Sequence, residues 1–278
     1  MRTKVLVTGA NGFLGKAVCK NIRNVNKYKV LPLHGKSEWD LTKQKYVDYA
    51  LQQYEPDVVV HLAATVGGIG ANKENPGLFM YDNLCMGMVG TVCAYPKFTP
   101  VPFKESDLWN GYPEETNAPY GIAKKALMEL LIAYKSQYNF NAVNLIPVNM
   151  YGPNDNFNPE ISHVIPALIL KIDRAMHVGK KEIELWGTGE ASREFLYVDD
   201  CAEAITKSIE AEVDPSPINI GTGKEIKIKD LITRLAKLMG YEGDIKFNSD
   251  LPDGQPRRCL DTKKATEELG FTAKTSLH

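Results

Sequence analysis

A phenol and an ammonium group stand four residues apart in Tyr120-Gly121-Ile122-Ala123-Lys124. On a helix this spacing sets both on one face, within mutual reach. The ammonium would lower the phenol pKa, so Tyr120 is expected to give and take a proton near neutrality, as carbonyl reduction requires. Far upstream, Gly9, Gly12 and Gly15 recur in Gly9-Ala10-Asn11-Gly12-Phe13-Leu14-Gly15. Between a strand and a helix, such glycines permit positive φ, close approach of backbone to a pyrophosphate, and tight helix packing. An NAD site usually carries a carboxylate at the end of the second strand; here the segment reads Leu33-His34-Gly35-Lys36-Ser37. A histidine and a lysine in place of the acid suit the 2′-phosphate of NADPH. Each motif alone has a plainer reading, an ordinary tight turn or two surface residues on a helix. Their joint occurrence points to hydride chemistry on a carbonyl.

The elements that must hold these groups can be traced along the chain. Val5 to Val7 is a β-branched strand leading into the glycine turn, and Lys16 to Ile22 a helix leaving it. Lys29 to Leu33 reads as a second strand and Tyr46 to Tyr54 as a helix. Val58 to Leu62 is an apolar strand of the kind buried in a parallel sheet. The alternation predicts an α/β fold with a doubly wound parallel sheet, the Rossmann arrangement. Ala123 to Tyr138 is expected to be a helix and Ala142 to Ile146 a strand, ending at Pro147-Val148-Asn149-Met150. Beyond about residue 150 the pattern breaks into Asn-, Pro- and Gly-rich loops around shorter elements: helices at His163 to Met176 and Ile228 to Leu238, strands at Glu182 to Trp186 and Ile218 to Ile220. The division expected is a cofactor domain over 1–150 and a smaller substrate-binding cap over 151–278, with segments of about 190–223 returning to the first.

Bulk properties narrow the function. The chain has 278 residues, 44% of them hydrophobic, enough for one large or two unequal cores. Its 33 basic residues balance 34 acidic ones, which argues against nucleic acid as a partner. The N-terminal apolar run is too short for a signal peptide or a membrane span, so a cytoplasmic protein is expected. Five widely spaced cysteines give neither a disulfide framework nor a metal-ligand pattern, and no metal is expected.

Taken together, these motifs resemble the extended short-chain dehydrogenase/reductase superfamily and, within it, the GDP-L-fucose synthase family. The segments that carry the resemblance are Val66-Gly67-Gly68-Ile69 with Ala71-Asn72, Gly90 to Pro96, Tyr120 to Lys124, Tyr151 to Phe157, Ser162 to Pro166, Trp186 to Gly189, Arg193 to Asp200 and Pro252-Asp253-Gly254. The family reaction is NADPH-dependent 3,5-epimerisation and 4-keto reduction of a GDP-sugar, GDP-4-keto-6-deoxymannose. The resemblance implies that Tyr120 protonates the C4 oxygen, that Lys124 binds the nicotinamide ribose, and that Thr91 holds the C4 oxygen where serine is commoner. It implies Cys93 and His163 as the epimerisation pair, which suits inversion beside a ketone, since that needs a base and an acid on opposite faces. Cofactor contacts are implied at Gly9, Asn11, Gly12, Phe13, Leu14, Gly15, His34, Lys36, Asp40, Leu41, Leu62, Ala63, Ala64, Lys124, Pro147, Asn149, Met150 and His163. Substrate contacts are implied at Lys171, Trp186, Arg193 and Asp253, with Trp186 stacking on the base and Arg193 clamping the diphosphate. A homodimer through the Tyr120 helix is implied as well.

One stretch departs from the pattern. Phe79 to Val92 supplies 14 residues where a doubly wound sheet needs both a crossover helix and the next strand. About sixteen residues of the family pattern have no counterpart between Gly87 and Met88, the length of most of a crossover helix and the start of the strand presenting Thr91 and Cys93. A genuine loss there is expected to drag the catalytic strand out of the sheet. Since the motifs on both sides are intact, residues closed up in the numbering are the expected explanation, rather than a true deletion, and no closing helix follows Leu277. Two alternatives stay open: another nucleotide-sugar epimerase or reductase, which would have no need for both Cys93 and His163, and an NADPH-binding protein without catalysis.

Overall fold

The computed structural model describes residues 1–67, 69–86, 90–159, 161–251 and 254–277. The chain opens with β1 (Thr3–Thr8), α1 (Phe13–Arg23), β2 (Tyr28–Pro32), α2 (Gln44–Tyr54) and β3 (Val58–His61). β1 lies between β2 and β3, parallel to both, with Val5 opposite Val30 on one side and Val58 on the other. Parallel neighbours require helical crossovers, and α1 and α2 supply them. Next come α3 (Ile69–Glu74), α4 (Pro76–Met86), a 3-10 turn at Val92–Ala94, and the long α5 (Ala118–Tyr138). β4 (Leu145–Pro147) follows, then β5 (Asn149–Tyr151) and α6 (Val164–His177). The chain continues through β6 (Glu182–Trp186), β7 (Ser192–Tyr197), α7 (Val198–Ser208), β8 (Ile218–Ile220), β9 (Glu225–Lys227), α8 (Ile228–Met239), β10 (Asp244–Asn248) and α9 (Lys263–Leu269).

The late strand β8 pairs in parallel with β4, so residues far along the chain return to the principal sheet region. One buried cluster joins Val5, Val7, Ile22, Met128, Ile146 and Ile218, while a second joins Ile165, Ile172, Ile183, Phe195 and Leu231. The second cluster is built from α6, α8 and the parallel pair β6–β10. β7 joins the two regions, pairing in parallel with β5 and antiparallel with β9.

The expected strand before Thr91 is missing among the described residues. Gly87 and Met88 themselves lie outside them. Gly90 retains one hydrogen bond, from its amide to the Leu145 carbonyl at 2.9 Å, and the chain then turns at once into the 3-10 segment. The sheet is accordingly interrupted into β2-β1-β3 and β4-β8. Between the two lies a cavity of about 940 Å³ lined by Val58, Val59, Leu84, Leu127 and Leu145. This corrects the reading of β3 as a fully buried strand: Val59 is 47% exposed, because among the described residues no strand pairs with β3 on that side.

Candidate active site

The glycine loop follows the carboxyl end of β1, which lies beside that of β3, the end at which open α/β sheets hold ligands. In this loop, Gly9 has φ +65°, and a Cβ there would lie 2.9 Å from the Ala63 amide nitrogen. A Cβ on Gly15 would sit 2.1 Å from the Gly9 carbonyl oxygen, so only glycine lets the first turn of α1 close onto the loop. Gly12 caps α1 and Phe13 begins it, so the first-turn amides of the helix lie at the glycine loop. The amides of Leu62 and Ala63 both donate to the Thr8 hydroxyl at 3.1 Å, binding the end of β3, just before Ala64, to that of β1.

The Thr8 hydroxyl also stands 2.8 Å from His61 Nδ1. With its oxygen already accepting two amides, its proton is left for Nδ1, which places the ring proton on Nε2. That Nε2 is buried without a partner. Burial, and secondarily the Lys124 charge, lowers the His61 pKa to about 4. The histidine in His61-Leu62-Ala63-Ala64 was legible as a strand ending but carried no sequence signal of this role.

At the end of β2, His34 Nδ1 meets Asn11 Oδ1 at 2.8 Å, which ties the expected phosphate reader to the glycine loop. Lys36 is engaged elsewhere: its Nζ lies 3.3 Å from Asp82, a buried carboxylate that also accepts from the Thr65 hydroxyl. Asp40 accepts from Thr42, and Leu41 packs with Leu6 and Leu33 beneath the loop. Pro147 closes β4, while Asn149 and Met150 open β5 on the same side.

The structure brings Thr91, Cys93, Tyr120 and Lys124 together. Thr91 Oγ1 accepts from the Cys93 amide at 3.2 Å and caps the 3-10 turn. α5 comes close enough that a Cβ on Gly121 would stand 2.6 Å from the Cys93 carbonyl oxygen. The glycine beside Tyr120 thus sets the distance between phenol and thiol. Among the described residues the Thr91–Cys93 turn stands outside the sheet, and this contact sets it against α5.

Lys124 is 2% exposed, with Nζ 5.7 Å from the Tyr120 ring centroid and no hydrogen-bond partner among the described residues. Burial lowers its pKa to about 8. The Tyr120 pKa moves opposite to the sequence expectation. Burial pushes it up, the neighbouring Cys93 adds to this, and a hydrogen bond with Thr91 pulls it down by less. In the free protein Tyr120 is therefore a protonated acid, the form that a carbonyl reduction consumes. The orphaned Lys124 ammonium, the orphaned His61 Nε2 and the glycine cradle fit a dinucleotide with its nicotinamide ribose over Lys124.

Other expected residues are held apart. His163 stands exposed at the start of α6, close enough for its charge to act on the Asp155 carboxyl, and has no hydrogen bond to Cys93 or Tyr120 among the described residues. Lys171 donates to the Glu184 carbonyl and shares a cavity of about 1060 Å³ with Trp186, which is 70% exposed. Arg193 projects from β7 and donates to the Ser192 carbonyl at 2.7 Å. Asp253 lies outside the described residues. Sequence reasoning missed Arg258, whose guanidinium reaches the Cys93 sulfur at 3.5 Å. Among the described residues no group of acidic, histidine or cysteine side chains could hold a metal ion, and no helix is long and apolar enough to cross a membrane.

Comparison with known proteins places this geometry. The model of the NAD dependent epimerase/dehydratase family matches residues 5–89 and 86–221, two stretches that meet where the sequence is short. GDP-L-fucose synthase 1 of Arabidopsis thaliana is 37% identical over 290 residues, covering 99% of this chain and 89% of that protein. GDP-L-colitose synthase of Yersinia pseudotuberculosis is 33% identical over 294 residues, covering 99% and 94%. Among solved structures, a GDP-L-fucose synthetase from Naegleria fowleri bound to NADP superposes with a TM-score of 0.87 at 25% identity, covering 100% of this chain and 91% of that one.

Proposed function

Since the chain belongs to the NAD dependent epimerase/dehydratase family and is similar over nearly its whole length to GDP-L-fucose synthases, we propose that it converts GDP-4-keto-6-deoxymannose to GDP-L-fucose with NADPH. The observation that carries this reading is the single cluster of Thr91, Cys93, Tyr120 and Lys124, because a reductase alone has no use for a thiol beside its acid.

In this reading Cys93, as thiolate, takes the proton from the carbon next to the ketone, and the C–H electron pair moves toward the C4 oxygen. Thr91 and Tyr120 hold that oxygen as charge develops on it. His163 returns a proton on the opposite face and leaves the carbon inverted. A bound nicotinamide would supply hydride chemistry at C4, and Tyr120 would give its proton to the C4 oxygen. Lys124, whose Nζ has no partner among the described residues, would hold the cofactor's ribose hydroxyls, and its charge would stabilise the tyrosinate that remains. His34 and Lys36 would read the 2′-phosphate, Lys36 exchanging its contact with Asp82 for the cofactor. Lys171 and Trp186, which share one cavity, would take the GDP end together with Arg193 and Asp253. The cofactor domain over 1–150 and the cap over 151–278 would then each hold one ligand.

The test is incubation of GDP-4-keto-6-deoxymannose with the protein and NADPH, with the product identified by NMR. GDP-L-fucose is the expected product. A deoxyhexose of different stereochemistry would move the assignment to another nucleotide-sugar epimerase/reductase, a class that includes the colitose-forming relative. NADPH binding with no turnover would leave a non-catalytic binder.

A further inference from the structure

The segment after Gly254 is zipped onto the loop that follows Cys93. The Phe103 amide donates to the Cys259 carbonyl at 2.8 Å, and the Asp261 amide donates back to the Phe103 carbonyl at 2.9 Å. Gln255, itself buried, donates through Nε2 to the Lys97 carbonyl at 2.9 Å. Its other side-chain atom, Oε1, accepts from Arg258 Nε at 2.6 Å, which orients the guanidinium. Arg258 is 9% exposed, and among the described residues no carboxylate lies within ion-pair distance of it. Its remaining contact runs from Nη1 to the Cys93 sulfur at 3.5 Å.

A buried guanidinium without an anion is costly, and the half-buried Cys93 is a poor base while its thiol stays neutral. Each defect cures the other when the sulfur is ionised. We propose that Arg258 is a positioning residue that holds Cys93 as a thiolate and aims it at the reaction site, with Gln255 fixing the aim. This rests on the epimerisation role given to Cys93 above. The groups recorded around the thiol are Arg258 and neutral Gln255 from the late segment, Tyr120 and, beyond its ring, Lys124 from α5, and neutral Thr91 from its own turn. Arg258 is the cation in direct contact. Nothing in the local sequence Gln255-Pro256-Arg257-Arg258-Cys259 distinguishes it from Arg257, which pairs with Glu225.

Iodoacetamide, a neutral probe that reacts with thiolates, tests the proposal on the intact chain, with each cysteine read by peptide mass spectrometry across pH. In the unaltered protein the reaction of Cys93 should rise at lower pH than that of exposed Cys85. In Arg258→Gln, which keeps a polar side chain, the Cys93 midpoint should move up by about one pH unit or more, and Arg258→Lys should restore most of it. A Cys93 midpoint at or above that of Cys85 in the unaltered chain overturns the proposal, even if Arg258→Gln fails to fold. So does an unchanged midpoint in a folded Arg258→Gln. Exchange of the substrate's C3 and C5 protons with deuterated solvent is read separately. Early Cys93 labelling without that exchange would refute the epimerisation reading and leave the Arg258–Cys93 pairing standing.

Discussion

Tyr120 and Cys93 stand side by side, and the proposed reaction gives them different steps, so single substitutions should separate them. Tyr120→Phe is expected to lower C4 reduction about a hundredfold or more while the folded variant still exchanges the C3 and C5 protons of the substrate with deuterated solvent. Loss of both together would mean one group serves both steps. Cys93→Ser should lose about 100- to 10,000-fold in epimerisation and slowly yield an unepimerised deoxyhexose. Undiminished fucose stereochemistry in sugar analysis would make Cys93 a packing residue. His61 yields a pH prediction. Its pKa falls from the ordinary 6.5 to about 4 on folding, so between those values the unfolded chain binds more protons and stability drops as pH falls. The loss approaches about 3 kcal/mol below pH 4. Urea titrations of His61→Gln should show a flatter acid limb over that window than the unaltered chain, and identical limbs would contradict the buried neutral ring.

At the scale of elements, the catalytic turn is held by a contact between backbone and α5 and not by a strand in the sheet. Gly121 is its point of closest approach. Gly121→Ala places a methyl 2.6 Å from the Cys93 carbonyl oxygen, so the helix must withdraw. The expected cost is about 1–3 kcal/mol in chemical denaturation, with epimerisation and reduction falling together. Gly77→Ala in α4 provides the contrast, since a Cβ there meets nothing within 4 Å. It should stabilise by about 0.5–1 kcal/mol and leave turnover unchanged. Equal behaviour of the two variants would show that the contact at Gly121 relaxes freely.

Across the whole molecule, the interrupted sheet leaves apolar surface on α5 uncovered, with Leu130, Tyr134 and Tyr138 all exposed beside the cavity between β3 and β4. Patches of this kind mark association surfaces in soluble proteins. A homodimer through α5 is expected at micromolar concentration by sedimentation, and the double variant Leu130→Glu, Tyr134→Glu should be a monomer with its NADPH affinity intact. A monomeric unaltered chain would remove α5 from the interface, as the shortened α4 beside it would permit.

What the sequence determined by itself was whatever depends on local spacing. Strand, glycine turn and helix at β1–α1 follow from apolar patterning and from the steric freedom of Gly9, and the Tyr120–Lys124 pairing follows from helical pitch. Resemblance added Thr91 and Cys93, and both came to rest beside the phenol. The tertiary structure decided what depends on neighbours distant in sequence. The sign of the Tyr120 shift was misjudged because spacing reveals the ammonium but not the burial that outweighs it. β3 was taken for a buried strand because its composition cannot reveal that, among the described residues, no strand adjoins it on its far side. Lys36 was read as a 2′-phosphate contact, and only the fold sets Asp82, 46 residues further on, against it. Arg258 lies 165 positions from Cys93, and only the pairing of the Phe103 and Leu260 backbones brings guanidinium and thiol together.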